Sequence, residues 1–72
     1  MKTKRSLMDL HMRLCRIGKF QVARRIFQLL MHGSIMLGLS DTDWQVQCLL
    51  EDFGIPVKTI SRNNGWARVR IA

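Results

Sequence analysis

The sequence predicts an α+β fold: three short helices followed by a C-terminal β-hairpin, in a single domain over residues 1–72. Three observations predict it. Apolar residues recur at three- and four-residue spacings in three stretches, 6–16, 20–32 and 41–53. Gly18, Gly33 and Gly54 follow those stretches where helix-ending glycines fall. Asn64-Gly65 then separates two alternating runs, a strong hairpin signal because a two-residue type I′ turn needs φ > 0 at both central positions.

In the first helix Leu7, Leu10, His11, Leu14 and Cys15 make one apolar stripe, with Ser6 as N-cap and Asp9 three residues on. Residues 1–5 precede it as a basic N-terminal arm carrying Lys2, Lys4 and Arg5. The second helix begins at Phe20, and Ala23, Ile26, Phe27 and Leu30 form its inward stripe. Gln21, Arg24, Arg25 and Gln28 fall on the opposite face. The next segment, SIMLGL (34–39), is too short for periodicity to decide between a strand and an extended connector. Ser40 caps the third helix, with Asp41 and Asp43 in its first turn against the dipole. Val46, Leu49, Leu50 and Phe53 face inward, and Pro56 forbids continuation.

In the hairpin, a turn at Asn64-Gly65 sets Asn63 against Trp66, Arg62 against Ala67, Ser61 against Arg68, Ile60 against Val69 and Thr59 against Arg70. Ile60, Ala67, Val69 and Ile71 then share the inner face. Thr59, Ser61, Trp66, Arg68 and Arg70 share the outer one, and a one-residue slip would expose the apolar set.

Net charge is +7, from twelve Lys and Arg against five Asp and Glu. So large an excess on so small a body points to a polyanionic partner, nucleic acid first. The cations lie in two regions, 2–25 and 58–70, separated by an acidic one holding Asp41, Asp43, Glu51 and Asp52. A generic solubilising surface is the plainer explanation. No segment reaches the ~20 apolar residues of a membrane span. The basic MKTKRS start leads into no secretory apolar region. The expectation is a cytoplasmic protein without a membrane partner. Cys15 and Cys48 form no C-x-x-C and read as small hydrophobes. With His11 and His32 they make a poor zinc set, so no metal and no cofactor is expected.

The stretch SLMDLHMRLCRIGKFQVARRIFQLLMHGSI is similar to the helix-turn-helix of small phage and prophage DNA-binding proteins. It shares a short Leu-rich helix, a Gly in the turn, an Ala-Arg-Arg-Ile core in the next helix, and a Gly before the next extended piece. The terminal VKTISRNNGWARVRI resembles a wing, and the whole resembles a winged helix-turn-helix. In many members the recognition helix directly precedes the wing. Here the helix before the hairpin is acidic, and the basic helix comes one element earlier.

The resemblance implies duplex DNA binding, in a sequence-specific or architectural role, as a phage-type transcription regulator or recombination accessory factor. On that reading Gln21, Arg24, Arg25 and Gln28 meet base edges, and Lys4, Arg5, Arg13, Arg16 and Lys19 meet phosphates. The wing residues are Arg62, Asn63, Trp66, Arg68 and Arg70. The structural alternatives are a solvated face for Arg24 and Arg25, and cross-strand packing against Arg68 or Arg70 for Trp66.

A homodimer would suit palindromic DNA. The alternative function is a small phage-type protein that binds and modulates a host protein, to which the five methionines lend adaptable surface. RNA binding through Trp66 stacking ranks below both. The sequence holds no catalytic constellation and no Gly-rich phosphate loop, so an enzyme is not expected.

Overall fold

The computed structural model describes residues 2–72, without the side chain of Lys2. The elements run α1 (Lys2–Arg16), α2 (Phe20–His32), β1 (Ser34–Leu37), α3 (Asp41–Asp52), β2 (Val57–Asn63) and β3 (Trp66–Ile71). The fold is α+β, with three helices packed on an antiparallel sheet of order β1-β3-β2.

α1 starts at Lys2, so residues 2–5 are its first turn rather than a separate arm, and Ser6 lies inside the helix rather than capping it. At its other end Gly18 N–H donates to Cys15 O at 3.2 Å and Lys19 N–H to Leu14 O at 2.9 Å, the paired bonds of a Schellman cap. The chain turns within three residues, 17–19, and α2 runs back against α1. α3 is capped as its sequence predicts, the Ser40 hydroxyl accepting from Asp43 N–H at 3.2 Å.

One core joins both layers. Leu7, Leu10 and Leu14 of α1, Ile26 and Leu29 of α2, and Val46 and Leu50 of α3 are buried together with Ile35, Leu37 and Val69 of the sheet. Each such side chain contributes about 1.5–3 kcal/mol relative to exposure. The inward face of α2 is rotated from the sequence expectation. Val22, Ala23, Ile26 and Leu29 are buried, Leu30 is half-buried, and Phe20 and Phe27 are exposed. Apolarity alone cannot choose between two adjacent stripes. The leucines of α1 and the underside of the sheet meet the Val22–Leu29 side.

SIMLGL resolves into strand β1 over Ser34–Leu37, paired with β3: Ser34 opposite Arg70, Ile35 opposite Val69, Met36 opposite Arg68, Leu37 opposite Ala67. β2 pairs the other edge of β3 in the expected register from the tip to Ser61–Arg68. A bulge at Ile60 then shifts it. Thr59 lies opposite Val69, Lys58 opposite Arg70 and Val57 opposite Ile71. Ile60 has no partner across the ladder and is 47% exposed rather than packed inward, and Thr59 moves to the inner side. At the tip Gly65 has φ +78°, and among the described residues none but glycines has positive φ, so Asn64 does not. The turn therefore lacks the two positive φ values of type I′ and carries the type II signature, with glycine at its third position.

Candidate nucleic-acid interface

Residues directly opposite in an antiparallel pair share a face. The outer face of the sheet therefore carries Trp66, Arg68 and Arg70 of β3, with Asn63, Ser61 and Lys58 of β2 on one side and Met36 and Ser34 of β1 on the other. Strict alternation from the tip would send Lys58 inward; the bulge brings it out beside Arg70. The result is three cations and an indole on one face with no acid.

Arg68 is held across the sheet, with Nη1 donating to Ser34 Oγ at 3.5 Å and Nη2 lying 3.4 Å from Met36 Sδ. Arg70 Nε donates to Ile71 O at 3.3 Å. Trp66 remains 39% exposed. Every residue of β2 is exposed, so β2 stands off the helical body while β3 packs on it through Val69 and Ile71. Arg62, opposite Ala67, turns to the other side. It lines a cleft of about 330 Å³ with Gln47, Thr59 and Leu39.

The polar face of α2 is differently placed. Arg25 Nε donates to Asp43 Oδ1 at 3.2 Å, and Arg25 Nη1 donates to Gln28 Oε1 at 3.0 Å. The other carboxylate oxygen of Asp43 accepts the Gly38 N–H at 2.7 Å. A Cβ on Gly38 would stand 3.3 Å from that oxygen, so glycine allows the close approach. Gln21 Oε1 accepts from the Thr42 hydroxyl at 3.3 Å. Three of the four expected base readers, Gln21, Arg25 and Gln28, are thus joined to α3 or to one another, and Arg24 alone points freely outward. Among the described residues Arg25–Asp43 is the one ion pair. Sequence reasoning missed it because the partners stand 18 positions apart and belong to separately read helices.

The expected phosphate contacts Lys4, Arg5, Arg13, Arg16 and Lys19 are all exposed along or just after α1. Lys4 and Arg5 sit beside Leu30 and Met31 at the end of α2. The Arg13 guanidinium lies over the Phe53 ring, 5.6 Å from its centroid, a cation–π contact that gives it a structural partner. The side chain of Lys2, the other cation of the expected basic arm, is outside the described residues.

His11 Nδ1 lies 3.0 Å from Ala23 O, and its Nε2 lies 3.7 Å from Cys15 Sγ. This pair sits between α1 and α2. Among the described residues no three His, Cys, Asp or Glu side chains gather as metal ligands, and Cys15 and Cys48 are free thiols. No described helix is long and apolar enough to cross a membrane. No protein-family model, curated protein or solved structure matches this chain.

Proposed function

We propose that the protein binds duplex DNA and that the β2–β3 hairpin, rather than α2, makes the principal contact. The observation that carries this reading is Lys58 directly opposite Arg70, with Arg68 next along the same face. Like charges opposite each other cost a sheet stability. A row of them with no acid nearby fits a surface meant to meet phosphates. A two-stranded ribbon also fits the major groove, roughly 12 Å wide. The exposure of β2 and of the Trp66 indole supports that reading.

Arg24 and the cations of α1 would add phosphate contacts that position the protein without reading sequence. The role that suits such a binder is a sequence-specific or architectural factor, of the kind phage transcription regulators and recombination accessories supply.

The test is fluorescence anisotropy on random duplex DNA over a salt series. Log affinity should fall with log salt by about 0.9 per neutralised phosphate, and Arg68→Ala/Arg70→Ala should flatten the slope by about 1.8. Absent binding at low salt, or an unchanged slope in the double variant, would overturn the reading. Tighter binding to a single-stranded oligonucleotide that is lost in Trp66→Ala would replace duplex with unpaired bases as the ligand.

A further inference from the structure

Phe20, Arg24, Phe27 and Met31 are spaced i, i+4, i+7, i+11 and therefore form one line along α2. That line faces outward. Phe20 is 66% exposed, Met31 63% and Phe27 40%. Phe27 is steadied from below by His11, ring centroids 5.1 Å apart. Met8 of α1 lines a shallow depression with Leu30 and Met31, and Met12, also exposed, follows one turn on. Large apolar side chains thus form one face across the antiparallel α1–α2 pair, on a domain whose core is complete without them. Large exposed apolar side chains gathered in this way mark an interaction site.

Charge selects the occupant. Lys4 and Arg5 border the depression and Arg24 interrupts the apolar line, against the single acid Asp9. A second copy docking through the same face would bring the same excess of cations over acids from both sides into one interface, since both subunits of a two-fold contact offer the same patch. An anionic lipid surface would meet Asp9, and both tryptophans, the usual interfacial anchors, lie elsewhere, on α3 and the hairpin. A helix presenting apolar residues at the same spacing between acidic flanks satisfies both the line and its rim. Methionines let such a surface adapt to its partner.

We infer that the α1–α2 face is a docking site for an acidic amphipathic helix of a partner protein. It shares no residue with the hairpin, and a docked helix would take up Lys4, Arg5 and Arg24, which are otherwise free to meet phosphates.

The probe is a labelled synthetic helical peptide of about 16 residues, long enough to run the roughly 20 Å of α2, with Leu at i, i+4, i+7 and i+11 and Glu at flanking positions. The protein should bind it, and Phe20→Ser/Met31→Ser should weaken binding about tenfold or more. Arg24→Glu, which leaves the apolar line intact, should weaken it and reduce its salt dependence. Arg68→Ala/Arg70→Ala should leave it unchanged, which separates this face from the hairpin.

Equal binding to a peptide with its Leu replaced by Ser would reduce the contact to charge alone and overturn the inference. So would no binding at all. Self-association in sedimentation equilibrium that Phe20→Ser/Met31→Ser abolishes would make the occupant a second copy. Binding to phosphatidylglycerol vesicles lost in the same variant, without peptide binding, would make it a membrane.

Discussion

Arg24-Arg25 on α2 and Arg68/Arg70 on β3 are the two arginine pairs that stand out as candidate readers, and the fold treats them differently. Arg25 is drawn into Asp43, which also holds the Gly38 N–H, so one carboxylate ties α2 to the β1–α3 turn and the start of α3. Arg68 and Arg70 have Lys58 and no acid among their neighbours on the sheet face, and bond only to neutral groups. A cation whose acid partner comes from another element serves stability; one left among cations is available to an outside anion. Which of the two an arginine becomes is set by tertiary placement.

The sharpest way to break this contrast is Asp43→Ala, which strips Arg25 and Gly38 of their acceptor at a site largely out of solvent. It should cost about 2–3 kcal/mol in urea unfolding, the scale of lost hydrogen bonds to a charged group. Because it also frees Arg25, DNA affinity at low salt should rise rather than fall; an unchanged midpoint would show that the carboxylate holds nothing. In binding rather than folding, Arg68→Ala should lower duplex affinity by about 1–2 kcal/mol while leaving the unfolding midpoint near its original value. Arg25→Ala should do the opposite, and the same outcome from both would erase the distinction.

Gly65→Ala should destabilise by about 1–2 kcal/mol, because φ +78° crowds a Cβ against the carbonyl. The added Cβ would also press the Leu39 side chain at 3.4 Å, so the hairpin tip should loosen and DNA affinity fall with it. The smallest effect belongs to Arg24→Ala, exposed and unpaired on α2. Thermal unfolding should stay within about 0.5 kcal/mol of the original.

Much of the fold was legible in the sequence where a local rule acts. Ser40 with Asp43 marks the start of α3, Gly33 and Gly54 mark helix ends, and the tip register from Asn63–Trp66 to Ser61–Arg68 follows from Asn64-Gly65. The rest depended on partners outside each segment. β1 is a strand because β3 pairs with it, and four residues carry no period that says so. The buried stripe of α2 was chosen by α1 and the sheet, which left Phe20 and Phe27 outside. Among the site residues, the outward direction of Arg68 and Arg70 was readable from alternation. The outward direction of Lys58 was not, because it depends on the bulge, and neither was the capture of Arg25, Gln28 and Gln21.

The bulge at Ile60 has one more effect. In a sheet ordered β1-β3-β2 the long strand β2 has an open edge, and it is exposed along its whole length. A flat open edge is a template on which a second chain can add its own strand, the first step toward fibres. Ile60 breaks the repeat of that template midway, and Lys58 and Arg62 charge it on either side of the break. The irregularity that carries Lys58 to the outer face therefore also keeps the hairpin from growing into a longer sheet.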